Sequence, residues 1–242
     1  MALTVRAAAE ARILRLVQRL PASINAADLV FMGGTVLPLL VDVDRRFESP
    51  RPTKDVDGIM ASATYSSMGA VEQALRDAGF KHMGSDPDAA PGTPISRWKT
   101  PDTEIFDLTF YGQHVGATGA RVDELAIETA KAMVGHPPLR HLSNVGFFMT
   151  KAQAFQDRHQ RTSKDLADLG VLLACDPDIK RAVLTCSSDV QEMVQAQAQA
   201  LRAFPLLSDR MRGTFSGRGP IMPDTPQSVT EDAMRILDTL TE

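Results

Sequence analysis

FMGGT at residues 31–35 and RPTKDVD at residues 51–57 are the two stretches that decide the fold. The first closes an apolar run with two glycines, so its backbone can turn tightly and approach a ligand closely. The second places Asp55 and Asp57 two residues apart. Alternate side chains of a β-strand share a face, so these two carboxylates can hold one divalent cation between them. Together the stretches predict a glycine turn followed by an acidic strand.

The composition describes a chain that can bury a substantial core. It has 242 residues, 43% of them hydrophobic and 23% charged, which suits one large domain or two small ones. The net charge of −4 argues against a globally basic nucleic-acid surface but leaves a local basic patch open. The sequence contains neither an apolar run of membrane-spanning length nor an apolar N-terminal signal core. We therefore expect a cytoplasmic protein with no membrane partner.

Hydrophobic periodicity predicts strands mixed with helices in the first half and helices alone in the second. Strands are predicted at 29–32, 56–60, 95–99 and 104–110. Helices in the same half of the chain are predicted at 4–19, 35–41 and 68–78. Later helices are predicted at 122–134, 146–160, 163–174, 179–203, where an internal break is allowed, and 227–240. The change of pattern near residues 135–145 predicts a domain boundary, with domains at 1–140 and 141–242.

Asp107 lies in the last of the predicted strands and can complete a triangle with Asp55 and Asp57. Three carboxylates around Mg²⁺ suit phosphoryl transfer, because the metal neutralises a triphosphate while one carboxylate accepts a proton from the attacking hydroxyl or orients it. An isolated Asp-x-Asp is also typical of a solvated strand edge. The acidic pair alone therefore does not distinguish a metal site from a solvated strand edge, and the surrounding residues are needed to decide.

The glycine turn offers a place for phosphate. It exposes backbone N–H groups where a helix begins, and Thr35 adds a hydroxyl. A tight turn alone also explains Gly33 and Gly34. A Rossmann or P-loop site is excluded, since there is no third glycine at the fingerprint spacing and no Gly-Lys-Ser/Thr.

A second group of charged residues lies in the helical half. Lys151 and Arg158 share one helix face with Phe148 and Phe155. Cations on an apolar stripe are costly unless an anion meets them. Asp165 lies inside the apolar arc of the next helix, so it is expected to face a charge. A structural ion pair and a role in binding a substrate phosphate both remain open here.

In chain order, the glycine turn, the acidic pair, Asp107 and the charged residues of the helical half resemble AbiEii-type nucleotidyltransferases. These enzymes are the toxin half of type IV toxin–antitoxin systems and belong to the DNA polymerase β-like superfamily. The resemblance covers roughly residues 29–174. It implies an α+β fold in which a nucleotidyltransferase-type mixed β-sheet domain with flanking helices precedes an α-helical domain. The nucleotide is expected between the two.

The resemblance also implies site residues. Asp55 and Asp57 would bind Mg²⁺ or Mn²⁺, and Asp107 would be the third carboxylate and the base. The implied nucleotide-binding residues are Gly33, Gly34, Thr35, Arg51, Thr53, Lys151, Arg158 and Asp165. The sequence departs from the family pattern at Gly58, Pro38 and Thr53, none of which removes a charged group.

The implied function is transfer of a nucleoside monophosphate from a nucleoside triphosphate to an acceptor hydroxyl. The implied acceptor is RNA, particularly the tRNA 3′ end, and the implied partner is an antitoxin protein. The alternative is a nucleotide-sensing or partner-binding module with the same fold and no turnover. A glycosyltransferase that uses Asp-x-Asp is a third hypothesis, but it does not account for Lys151, Arg158 and Asp165.

Overall fold

The computed structural model describes residues 4–48, 53–61, 65–85, 96–110, 119–216 and 219–242. The strands are β1 (Leu29–Met32), β2 (Asp55–Met60), β3 (Lys81–His82), β4 (Arg97–Lys99), β5 (Ile105–Phe110), β6 (Lys131–Met133) and β7 (His136–His141). The helices are α1 (Val5–Arg19), α2 (Leu37–Leu40), α3 (Tyr65–Asp77), α4 (Ala120–Glu128), α5 (Asn144–Arg158), α6 (Lys164–Cys175), α7 (Ile179–Leu184), α8 (Ser188–Arg202), α9 (Leu207–Ser216) and α10 (Pro226–Leu240).

In the described part of the chain, the seven strands form one mixed sheet in the order β3-β4-β5-β2-β1-β7-β6. Strand β2 lies in its middle, antiparallel to β1 and parallel to β5. A mixed sheet followed by helices confirms the predicted α+β architecture. Among the described residues, none of the helices combines the length and the apolar character needed to cross a bilayer.

The two faces of the sheet pack against different helices. Phe31, Val56 and Phe106 belong to a buried cluster that includes Ile13 and Leu16 of α1. Val30 and Ile59 belong instead to a cluster built mainly from helices α4 to α10. Because alternate residues of a strand share a face, the odd-numbered residues of β2 point with Ile59 towards the helical half of the chain.

The hairpin formed by β6 and β7 corrects the predicted helix at 122–134. Helix α4 ends at Glu128, and residues 131–133 are a strand. Lys131, Ala132 and Met133 have good helix propensity, but pairing with β7 overrides it, and β7 in turn pairs with β1. Gly135, with a φ of +80°, lies at the tip of this hairpin.

Other helix predictions are partly right. The segment 179–203 is broken between α7 and α8, as the sequence allowed, whereas α9 was not predicted.

The division into domains at residue 140 stays a prediction. Strand β7 reaches His141, and one buried cluster contains residues from both sides of that division.

Candidate functional site

Three carboxylates converge on the sheet face that meets the helical half. Asp55 and Asp57 are alternate residues of β2, and Asp57 lies directly opposite Asp107 of β5. One carboxylate oxygen from each lies within 4.8 Å of those of the other two. All three side chains are half-buried. The predicted triangle of carboxylates is therefore present as a geometric cluster.

The cluster suits a hard divalent cation. Mg²⁺ and Mn²⁺ prefer oxygen ligands, and Mg²⁺ holds them at about 2.0–2.1 Å. Carboxylate oxygens within 4.8 Å of one another need only small side-chain rotations to share one ion. The donor set therefore fits Mg²⁺ or Mn²⁺ at Asp55, Asp57 and Asp107.

Gly33 lies against the acidic strand, which links the two motifs physically. Met32, its neighbour in β1, is directly opposite Asp57. A Cβ atom on Gly33 would lie 1.9 Å from Oδ2 of Asp57, and the φ of Gly33 is +72°. Both the space and the backbone conformation require glycine at this position. The glycine turn thus touches the carboxylate that the sequence assigned to the metal.

Two threonines and an arginine hold the start of β2. The Thr35 side chain is buried, and its hydroxyl donates to the carbonyl of Asp55 at 2.7 Å and lies 3.1 Å from Oγ1 of Thr53. Arg12 of α1 donates to the carbonyl of Thr53 at 2.6 Å and forms an ion pair with Glu104. These bonds connect the glycine turn, α1 and the acidic strand.

Arg97 of β4 forms ion pairs with two of the three carboxylates. Its Nε and Nη2 donate to Oδ1 and Oδ2 of Asp107 at 2.8 and 2.5 Å, and Nη2 lies 3.2 Å from Oδ2 of Asp55. The hydrogen bonds to Asp107 raise the pKa of Arg97, so it stays charged. Arg97 is not among the site residues predicted from the sequence. Counting outward from Asp102 in the predicted hairpin places Arg97 opposite Asp107, as the strand register shows.

The predicted basic residues of the helical half form a compact charge cluster. Lys151 Nζ lies 3.2 Å from Asp165 and 2.9 Å from Asp168. Arg158 donates to both oxygens of Asp165 at 2.6 and 2.8 Å. Asp165 is fully buried and Lys151 is only 7% exposed. The structural ion pair that the sequence left open is therefore present, while a role in binding substrate stays a prediction.

The charged residues of the helical half influence the pKa of a sheet carboxylate. Burial, followed by the charges of Asp55 and Asp107, raises the pKa of Asp57 to about 7, and the charges of Lys151 and Lys164 oppose this shift. The positive charges of Lys151 and Lys164 therefore act on Asp57 through space. A carboxylate with a raised pKa beside other carboxylates is typical of a site that binds a cation.

In the charge cluster of the helices, the paired charges outweigh the effect of burial on the pKa values, unlike at Asp57. Burial alone raises the pKa of Asp165, but hydrogen bonds from Arg158 and the charge of Lys151 outweigh it and leave that pKa below its usual value. Burial likewise lowers the pKa of Lys151, and Asp168 and Asp165 more than reverse the effect. Both residues therefore stay charged.

The structure brings together most of the residues predicted for the site. Gly33, Thr35 and Thr53 lie along the start of β2, with Gly34 between the first two in the same turn. Arg51 lies outside the described residues, so its predicted contact with the nucleotide stays a prediction. Arg12, Arg97 and Asp168 join the site as residues that the sequence analysis did not assign.

Comparison with known proteins agrees with this arrangement. A family model described as nucleotidyl transferase AbiEii toxin, type IV toxin–antitoxin system, matches residues 15–215. The match covers more than half of the chain and includes the three carboxylates, the glycine turn and the helical charge cluster. No curated protein and no solved structure has significant similarity to the chain.

Proposed function

The chain belongs to the AbiEii family of nucleotidyl transferase toxins, and on this premise we propose that it is a Mg²⁺- or Mn²⁺-dependent nucleotidyltransferase. It would transfer a nucleoside monophosphate from a nucleoside triphosphate to an acceptor hydroxyl and release pyrophosphate. The observation that carries the proposal is the convergence of Asp55, Asp57 and Asp107 beside the turn at Gly33.

The reaction needs an acid-rich cation site next to groups that attract phosphate. A divalent cation held by the three aspartates supplies neutralisation of the triphosphate charge. The acceptor oxygen forms a bond to the α-phosphorus while the bond from that phosphorus to the oxygen of pyrophosphate breaks. Asp107 accepts the proton of the acceptor hydroxyl as the base.

The other residues bind and position the nucleotide. The backbone N–H groups of the turn from Gly33 to Thr35 would contact the triphosphate. Arg158, whose side chain is 32% exposed, would meet phosphate from the helical side. Lys151 lies deeper, where it adds positive charge opposite Asp57. Asp165 orients both cations.

The proposed acceptor is RNA, particularly the 3′ end of tRNA, where an added nucleotide would block aminoacylation. Arg161, in the turn after α5, and Lys164, at the start of α6, follow Arg158 in the chain and could receive RNA phosphates. Modification of tRNA would make the protein a growth-inhibiting toxin. A type IV family implies an antitoxin partner, which we propose for this chain as well.

The direct test is incubation of the purified protein with Mg²⁺, α-labelled nucleoside triphosphates and total RNA. We expect label in RNA with the parent protein, and no label with the Asp57→Asn variant. Asp178→Asn is the matched control, because it removes an exposed carboxylate at the start of α7. Equal labelling by the parent and by Asp57→Asn would refute the site.

A second measurement separates transfer from mere binding. Pyrophosphate release should accompany labelling and should require both metal and acceptor. Metal-dependent nucleotide binding in calorimetry, with no pyrophosphate released for any acceptor, would instead support the non-catalytic module.

A further inference from the structure

Arg97 occupies both oxygens of Asp107. The two contacts are parallel hydrogen bonds from one guanidinium, and a third contact reaches Asp55. Such a bidentate pair is among the strongest that an arginine forms. Two of the three carboxylates assigned to the metal therefore already share the positive charge of one protein side chain.

A metal ion bound at this site and Arg97 compete for the same carboxylate oxygens. A cation coordinated by Asp107 and Asp55 would lie about 2 Å from oxygens that Arg97 approaches within 3.2 Å. Two like charges at that separation repel strongly in a half-buried site. Entry of the metal therefore favours displacement of the guanidinium from these carboxylates.

The released guanidinium has a natural new partner. The planar fork of arginine matches phosphate as well as carboxylate. A triphosphate bound to the metal would bring phosphate oxygens next to the carboxylates that Arg97 leaves. The side chain of Arg97 is 27% exposed, so part of it is accessible to a ligand that enters from solvent.

We propose that Arg97 exchanges partners during the reaction. It pairs with Asp107 and Asp55, a divalent cation would displace it from them, and it would then bind the triphosphate. The exchange rests on the proposed function and adds a phosphate-binding residue to it. It also releases Asp107 from its hydrogen bonds with Arg97 only when the metal binds.

A purely structural ion pair makes different predictions. A fork that only joins β4 to β5 would keep its geometry in both states and would contact no phosphate. Its loss would lower stability without changing the affinity for metal or nucleotide. The two accounts therefore differ in binding measurements.

The first experiment is titration of the nucleotide-free protein with Mn²⁺, followed by calorimetry or electron paramagnetic resonance. We expect Arg97→Gln to bind Mn²⁺ about tenfold more tightly than the parent, because a competing positive charge is gone. Lys99→Gln is the matched control. It removes one positive charge from the same face of β4, two residues along the strand, and should change the affinity much less.

The second experiment is nucleotide binding at saturating Mn²⁺. We expect Arg97→Gln to weaken the binding of a non-hydrolysable nucleoside triphosphate about tenfold, while Lys99→Gln stays close to the parent. Arg97→Lys keeps the charge without the fork and should lie between the parent and Arg97→Gln in both experiments. It also provides a second variant if Arg97→Gln does not fold.

The outcomes separate this proposal from the proposed function. If Arg97→Gln and Arg97→Lys bind Mn²⁺ no more tightly than Lys99→Gln, the partner exchange is wrong, even if the parent transfers nucleotides. If both affinities shift as expected while the parent releases no pyrophosphate, the exchange holds and the transferase function fails. Tighter metal binding with unchanged nucleotide binding would overturn the phosphate contact.

Discussion

The two charged groups of this protein interact electrostatically but are balanced in opposite ways. On the sheet, three carboxylates share one contacting arginine among the described side chains, and the pKa of Asp57 rises to about 7. In the helices, Lys151 and Arg158 meet Asp165 and Asp168, and the pKa of Asp165 falls.

The difference indicates which group changes its ionic partners when a cation binds and which group keeps them. An under-neutralised group gains free energy when a cation arrives, so it suits a metal that enters with the substrate. A balanced, buried ion network has no such gain and is costly to disturb. We therefore interpret the sheet group as the reactive half and the helical group as the support.

The largest expected effect follows from removing a carboxylate on the reactive side. Asp57→Asn should lower nucleotidyl transfer by about a thousandfold, since a metal ligand contributes several kcal/mol to transition-state stabilisation. The folded structure should persist, because the substitution relieves repulsion among three carboxylates. Transfer assays together with circular dichroism measure both. Loss of fold along with loss of activity would contradict the comparison.

Asp165→Asn should act mainly on the stability of the folded protein. It leaves Arg158 and Lys151 with too little negative charge in a buried position, which costs about 3–5 kcal/mol of the free energy of unfolding. Urea unfolding measures this loss, and Asp178→Asn should stay within about 0.5 kcal/mol of the parent. A stable Asp165→Asn protein would mean that the helical group is not a structural support.

Gly33→Ala tests the link between the turn and the acidic strand. The φ of +72° and the Cβ position 1.9 Å from Asp57 predict a loss of about 2 kcal/mol or more in the free energy of unfolding, together with weaker Mn²⁺ binding. Gly69→Ala is the control, since an added Cβ there meets no atom within 4 Å beyond its chain neighbours and the backbone of its own helix, α3. Equal stability of the two variants would show that Gly33 can move away from Asp57.

The smallest expected effect is a pH dependence of stability in the metal-free protein. The pKa of Asp57 rises from 3.8 to about 7 on folding. Between these values the folded state binds more protons than the unfolded state, so the free energy of unfolding falls as pH rises. We expect the melting temperature to drop by about 2–4 °C for each kcal/mol lost between pH 5 and pH 8.

Added Mn²⁺ should reverse that drop at pH 8, because the metal binds the deprotonated carboxylates. Asp57→Asn should show a smaller decrease over the same range. Thermal melts at the two pH values, with and without Mn²⁺, measure all of these changes. A parent protein that gains stability from pH 5 to pH 8 without metal would contradict the raised pKa.

Local residue patterns predicted much of the fold. Apolar runs, glycines and prolines mark α1, β1, β2 and β5 correctly because these elements carry their own periodicity and end signals. The hairpin of β6 and β7 was missed, since residues 131–133 have helical propensity and become a strand only by pairing with distant parts of the sheet.

The sequence by itself determined the three carboxylates, the glycine turn and the charged residues of α5 and α6, because strand alternation and helix spacing are local properties. Only the tertiary structure decided that Gly33 touches Asp57, that Arg97 holds Asp107, and that Lys151 is neutralised by both Asp165 and Asp168. These contacts join residues on different elements. Their distances depend on strand register and helix packing, which no local pattern specifies.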